Sequence, residues 1–385
     1  MASVGDGRRK PRISAAVVVG SILLMQWARI GSLNGLVQRR SIGYWRGWLG
    51  GALPSARTIG RVAAGLSIDN VRGLLYGHYA RRRRNKSLRP FIGSIRPVIF
   101  DGHESTSSYR RCCPRCLRRA ITVKGRKRTQ YYHRYVLAML LYEGGYLLLD
   151  VEEQLPGEGE APCAIRLLRR LLERYPRAFN TVVGDSLYLN PDFCTVAARG
   201  GKHFLAVLKD ERRDLIVDAR GLFECEAATH FEAGRKHYQC WDIEGFTTWE
   251  QFGSPVRVIR SLETTRVRRQ LTGEEEEMTS EWMWATDIPS EVAGTRSVIS
   301  LGHGRWRIEN NGFNELVNDW HADHVYKHEP NALVVFLLLL LLACNLFHAL
   351  VSLNLKVQLR MKHTKRHFAN LIAAEFCLTS PGAFT

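Results

Sequence analysis

Acidic residues are scarce in this chain: 37 Asp and Glu stand against 55 Lys and Arg among 385 residues, a formal net charge of +18 at pH 7. A deficit that large points to a polyanionic partner, either nucleic acid or an anionic membrane surface, although a merely well-solvated basic surface gives the same sum. Glycine-rich phosphate loops are lacking too. Neither a GxGxxG nor a P-loop signature occurs, so nothing suggests a nucleotide cofactor. There is no internal repeat and no long low-complexity segment, which sets repeat architectures aside. Paired cysteines are few: the nine cysteines are odd in number and mostly single within apolar stretches (Cys163, Cys194, Cys344), which argues against a secreted disulfide framework and for a reducing cytosol.

What is present in abundance is apolar sequence, and two runs of it imitate membrane signals. Basic Arg8–Arg12 precedes apolar Ala15–Met25 in the manner of a signal peptide. No clean small-residue cleavage site follows, and the pattern continues at helical spacing. Near the other end, ALVVFLLLLLLACNLFHAL (Ala332 to Leu350) is long enough to span a bilayer. Asn345 and His348 interrupt it, and a helix buried inside a large α/β domain reads the same way, so a buried helix is expected.

The pattern divides the chain into five parts. Residues 1–92 read as helical and basic, with Pro54-Ser55 before one helix and Ser67 or Asp69 capping the next, which runs through Arg81, Arg82, Arg83, Arg84 and Lys86 to Pro90. That basic run is either a solvated helix end or a set of phosphate contacts. Residues 93–210 turn to strands: RPVIFD, YYHRYVLAMLLY and GYLLLDVEEQL, the last two joined through Glu143-Gly144-Gly145, then a periodic helix (Ala161–Tyr175), TVVGD, a helix and HFLAVLKD. Residues 211–296 form a β-rich, Trp-bearing insertion with an acidic loop, Gly273–Met278. Residues 297–355 are helical, and 356–385 make a basic surface tail.

Three carboxylates occupy distinctive settings. Asp101 ends a strand in VIFDGHES, Asp185 ends another in VVGDSLYLNP, and Glu309 lies on a helix in GRWRIENNGFNEL. Acids at strand ends project into the crevice where α/β folds gather ligands, although a single such Asp is more often a turn or helix cap. Like charges held together imply divalent cations, and oxygen donors facing a phosphate substrate suit Mg²⁺ or Mn²⁺. A second chemical signal is CCPRC. Cys113-x₂-Cys116 is half of a zinc site with Cys112 adjacent, His103 and His133 being the nearest histidines; its plain alternative is a reduced surface turn. Trp241, Trp249, Trp282 and Trp284 suit a β core better than base stacking, and Tyr188 suits packing.

The motifs DGHES, VVGDSLY and RWRIENNGF resemble those of the DDE transposases of bacterial insertion sequences, whose catalytic core is similar to that of retroviral integrases. The 124 positions between Asp185 and Glu309 (309 − 185) leave room for the β-rich insertion of one branch of that family. The resemblance covers roughly residues 50–350. It implies an α/β, ribonuclease-H-like mixed sheet flanked by helices, with Asp101, Asp185 and Glu309 as catalytic metal ligands. It also implies an N-terminal helical DNA-binding region and DNA contacts by Arg305, with Arg307 beside it; the plain alternative for Arg305 is a salt bridge that orients Glu309. The partners it implies are double-stranded DNA, both terminal inverted repeats and target, and a second copy of the chain in a synaptic homodimer, with no membrane and a cytoplasmic, nucleoid-associated location. Two positions depart from that branch: Gly302 stands where a tyrosine is expected and Leu316 where a lysine is, leaving His303 or Asn314 as substitutes. The expected activity is metal-dependent cleavage at element ends followed by strand transfer. A nuclease without strand transfer and a decayed copy that only binds DNA are the alternatives.

Overall fold

The computed structural model describes residues 8, 11–42, 44–209, 214–268 and 273–377. Five helices come first: α1 (Ala15–Trp27), α2 (Leu33–Gln38), α3 (Tyr44–Leu49), α4 (Ala56–Gly65) and α5 (Ile68–Arg84). Ser67 caps α5 by accepting from the Asn70 amide at 3.3 Å. The helix stops at Arg84 rather than at Pro90, because Lys86 turns into the left-handed region (φ 53°). The apolar run Ala15–Met25 lies within α1, where Val18, Val19, Ile22, Leu24 and Met25 are buried in the main core.

The strands form one mixed sheet. β1 (Pro97–Ser108), β3 (Arg126–Tyr142) and β4 (Gly145–Glu153) are antiparallel, and Gly144 (φ 78°) supplies the turn that joins β3 to β4. Helix α6 (Glu160–Arg174) leads to β5 (Thr181–Gly184), and α7 (Pro191–Arg199) to β6 (His203–Val207); β5 runs parallel to β1, and β6 to β5. The order β4-β3-β1-β5-β6, with helices on both faces, is the ribonuclease-H-like arrangement expected. Asp210, the last residue of the segment HFLAVLKD, lies outside the described residues.

Three features of the sheet escaped the pattern. β1 continues past Asp101 to Ser108, and a further strand, β2 (Leu117–Val123), pairs with the first half of β3. Both stretches are polar or basic on their exposed faces, so neither carries an apolar signal. The insertion comprises α8 (Asp214–Cys225), β7 (Thr229–Ala233), β8 (Lys236–Phe246), β9 (Val256–Arg268) and β10 (Glu275–Thr286); β10 pairs antiparallel with β6, so the same sheet continues to ten strands. The acidic loop expected at Gly273–Met278 is instead mostly the start of β10, where Glu275 and Glu277 lie opposite Arg268 and Arg266. Opposite charges across an antiparallel pair favour that register.

The chain ends in α9 (Thr295–Gly304), a π-helical turn (Ile308–Phe313), α10 (Asn314–Trp320), α11 (Pro330–Ala349), α12 (Val357–Lys362) and α13 (Lys365–Cys377). α11 is the apolar run that imitates a membrane span, and 78% of its apolar window is buried inside the protein. Its polar interruption has a use. The Asn345 amide donates to the Leu148 carbonyl at 2.7 Å and accepts from the Leu148 amide at 3.0 Å, satisfying backbone on the outer side of β4. The basic tail is not wholly surface either: Phe368 and Ala369 of α13 are buried, and the Trp45 indole donates to the Phe376 carbonyl at 2.7 Å.

Strand alternation sorts the core into two layers. Ile99, Leu137, Met139, Val183 and Leu205 face the layer containing α11, whereas Val98, Phe100, Val136, Val182 and Phe204 face α6 and α7.

Candidate active site

The two strand-end aspartates are brought together by register. On β1 and β5, Pro97 is opposite Thr181, Val98 opposite Val182 and Ile99 opposite Val183, a constant offset of 84. Asp101 and Asp185 differ by that same 84 (185 − 101), so the register extended two residues past its last pair, Ile99 and Val183, sets Asp101 and Asp185 level, just beyond the end of β5. Each shares the parity of Ile99 and Val183, so both carboxylates belong to the α11 face of the sheet. Asp185 is pinned by the turn that follows β5, its Oδ1 accepting from the Leu187 amide at 2.8 Å.

Glu309 comes from the π-helical turn, which packs against β1 on that face. A π turn of this kind interrupts the α register between α9 and α10, a distortion frequent at functional sites. Arg305 joins the acids: its Nη1 lies 2.7 Å from Glu309 Oε1 and 3.5 Å from Asp101 Oδ2. Arg305 is therefore the ion-pair partner that orients Glu309. Its neighbour Arg307 is exposed, with its guanidinium 5.0 Å from the Phe91 ring.

A fourth carboxylate, absent from the sequence reading, stands behind the first. Glu160, at the start of α6, is buried, with its Oε1 accepting from the Tyr188 hydroxyl at 2.9 Å and its Oε2 2.5 Å from Arg134. It reaches the strand because residue 102 has no side chain: a Cβ on Gly102 would lie 2.2 Å from Glu160 Oε2. Only its position as the first residue of a helix behind the DGH motif could have hinted at this. Burial pushes the Asp101 carboxyl up to about 7; Arg305 pulls the other way, and Asp185, Glu309 and Glu160 add to the rise. Arg305 is shared by Asp101 and Glu309 and Arg134 sits on Glu160, and the donor set the four acids offer is all oxygen, although their oxygens do not converge within 4.8 Å as the donor atoms of Cys113, Cys116, His133 and His328 do. Such oxygen donors suit hard divalent cations, which Asp101, Asp185 and Glu309 would hold.

The two departures have steric causes. A Cβ on Gly302 would lie 2.4 Å from Trp284 Nε1, so the buried indole occupies the space a tyrosine would need. Leu316 is fully buried in the core, where a lysine would be an unpaired charge. Of the two substitutes, His303 is engaged by Glu263 at 2.5 Å, while Asn314 is exposed and hydrogen-bonded to Asn318. Trp249 and Trp284 are buried, as a core reading requires.

In the basic run, Arg81, Arg83, Arg84 and Lys86 are exposed, but Arg82 is not available to a phosphate. It is 3% exposed, donates from Nε to Ser87 Oγ at 2.8 Å and lies over the Tyr142 ring. Helical spacing turns one arginine of four inward, which composition alone does not show. Cys113 and Cys116 do meet a histidine, but His103 is not the one: it stacks on Phe313 at 4.6 Å, while His133 and the distant His328 face the cysteines. His328 was missed because 212 positions separate it from Cys116.

The order of strands and helices is that of a ribonuclease-H-like transposase domain. The family model for the transposase DDE domain matches residues 99–346, well over half of the chain, and the protein belongs to that family. No curated protein matches the chain.

Proposed function

We propose that this chain cleaves DNA at the ends of a mobile element and joins the freed 3′ ends to a target, with Asp101, Asp185 and Glu309 as the catalytic residues. The observation that supports this reading best is that Arg305 links Glu309 to Asp101, while Asp185 follows the strand that pairs with β1. Bound Mg²⁺ or Mn²⁺ supplies activation of the attacking hydroxyl and stabilisation of the leaving oxygen. The protein supplies the rest. Asp101 and Asp185 are placed by strand geometry, Glu309 is held by Arg305, and Glu160 stands buried behind β1 at Gly102. Exposed Arg307 offers a planar fork to the scissile phosphate while buried Arg305 is engaged by Glu309 and Asp101, and Arg81, Arg83, Arg84 and Lys86 offer positive charge to the flanking duplex. The protein acts in the cytoplasm on nucleoid DNA, as a homodimer that pairs two terminal inverted repeats.

The test is incubation of purified protein with a duplex carrying its element's terminal repeat, in Mg²⁺ or Mn²⁺, beside Asp185→Ala. Cleavage at the repeat boundary should require metal and fall by at least about a thousandfold in the variant, a loss of about 4 kcal/mol of transition-state stabilisation. Joining to a second DNA supports strand transfer, whereas cleavage without joining returns the nuclease reading. Salt-sensitive binding without cleavage returns the DNA-binding-only reading.

A further inference from the structure

We propose that Cys113, Cys116, His133 and His328 hold one structural Zn²⁺. The four come from three places in the fold. Cys113 and Cys116 lie on the turn between β1 and β2, His133 is near the middle of β3, and His328 lies in the connection between α10 and α11. Nothing in the chain order explains why they meet, yet their four donor atoms lie within 4.8 Å of one another.

The spacing is that of a tetrahedron around zinc. With Zn–S near 2.3 Å and Zn–N near 2.0–2.1 Å, tetrahedral angles put two sulfurs about 3.8 Å apart, sulfur and nitrogen about 3.6 Å, and two nitrogens about 3.3 Å. The sulfurs of Cys113 and Cys116 are 3.7 Å apart, and His133 Nε2 lies 3.2 Å from His328 Nε2. The sulfur–nitrogen distances are 3.5 Å for Cys113–His133, 3.2 Å for Cys116–His133 and 3.3 Å for Cys116–His328.

The surroundings support the same assignment. His133 Nδ1 is 2.8 Å from Glu153 Oε1, so it carries the proton and leaves Nε2 with a lone pair aimed at the cluster. Such a carboxylate–histidine pair is how proteins orient and strengthen a metal-ligating imidazole. The Cys113 amide donates to Cys116 Sγ at 3.2 Å, which suits a sulfur bearing negative charge. All nine cysteines are unbridged, and Cys112 is exposed and outside the set. On binding, each thiol gives its proton to solvent as a Zn–S bond forms, and both imidazoles bind neutral.

The site would fasten two things that nothing else crosslinks covalently. One is the β1–β2–β3 arm, where nine Lys and Arg and no Asp or Glu occur between residues 109 and 130. The other is the connection that follows the helix carrying Glu309. A bound ion therefore fixes a strongly basic arm relative to the catalytic helix, without itself touching the carboxylate cluster.

The test uses the full-length protein, purified in the absence of chelator and analysed for metal by mass spectrometry. One zinc per chain is expected, and replacement by Co²⁺ should give the intense visible bands of a tetrahedral sulfur–nitrogen site. Cys116→Ser and His328→Ala should lose the ion, Cys112→Ser should keep it, and Glu153→Gln should weaken zinc affinity by about 10–100-fold. If the ligand variants do not fold, the cobalt spectrum of the unaltered protein decides, and a weak octahedral spectrum overturns the proposal. So does a folded protein that neither contains zinc nor takes it up on titration, or a Cys112→Ser variant that loses it.

Discussion

Asp101 and Glu315 are both withdrawn from water, with 14% and 16% of their side chains exposed. Glu315 is fully answered. The Tyr146 hydroxyl donates to it at 2.6 Å, the Trp320 indole at 3.2 Å, and His348 Nε2 lies 2.7 Å away. Burial alone would raise its pKa, but the hydrogen bond and charge of His348, then Tyr146 and Lys365, overcome it and bring the carboxyl down to about 2. Asp101 has one arginine, shared with Glu309, and three acidic neighbours, so burial and repulsion push it up to about 7. One site is arranged so that the apo protein is comfortable and the other so that it is not. Asp101 is left short of positive charge where Glu315 is answered by three donors, a contrast that accords with the proposed cation-binding role of Asp101.

The largest effect on stability should follow from neutralising Asp101. With its folded pKa above the unfolded value, the group favours folding least at high pH. The penalty is absent below about 3.8 and grows as pH rises toward 7. Asp101→Asn should therefore abolish cleavage yet stabilise the metal-free protein at pH 7 by on the order of 2–4 kcal/mol. Urea denaturation in EDTA measures this, and Mg²⁺ should stabilise the unaltered protein but not the variant. A variant less stable than its parent in EDTA would make Asp101 a structural residue and erase the contrast with Glu315.

Glu315 should behave in the opposite sense. Its folded pKa is depressed, so its contribution is complete above about 4.5 and is lost as pH falls toward about 2. Glu315→Gln should lower stability at neutral pH by about 3 kcal/mol, with Mg²⁺ making no difference. The gap between variant and parent should close below pH 4.5. If the gap stays constant down to pH 3, the carboxylate charge is not what His348 and Tyr146 are holding.

The three proposed catalytic acids could be singled out in the sequence because each sits in a short local motif, and strand-end position is a local property. Their partners were not. Glu160 approaches β1 only through the space left by Gly102, and His328 reaches Cys116 across 212 positions. The ribonuclease-H-like order of strands and helices could be read from apolar runs, whereas β2 and the far half of β1 could not, since their exposed faces carry arginine, serine and glutamate. The apolar α11 was ambiguous for a related reason. A helix buried by α1, α4, α5 and β4 has no polar face to give it away, and only Asn345 and His348 marked its neighbours.

Gly102 ties the contrast to a single atom. Gly102→Ala places a methyl 2.2 Å from Glu160 Oε2, so the carboxylate must move off Tyr188 and Arg134. A loss of about 1–3 kcal/mol is expected, as for other overpacked sites. If crowding of Glu160 is the cause, Gly102→Ala and Glu160→Ala combined should cost less than the two measured singly. Strict additivity would mean that the strand, and not the fourth carboxylate, resists the methyl.

The smallest effects should separate Arg82 from Arg84, two residues that sequence alone treats as equal. Arg82 is packed over Tyr142 and bonded to Ser87, so Arg82→Ala should lower stability by about 1–2 kcal/mol and leave the salt dependence of DNA binding unchanged. Arg84 is exposed at the end of α5. Arg84→Ala should change stability by no more than about 0.5 kcal/mol, while lowering the slope of log affinity against log salt by about 1, as expected for one lost phosphate contact. The two curves, measured on the same duplex, decide which arginines of the run face DNA. An unchanged slope in Arg84→Ala would move the phosphate contacts elsewhere, with the nine cations of the β1–β2–β3 arm the next place to look.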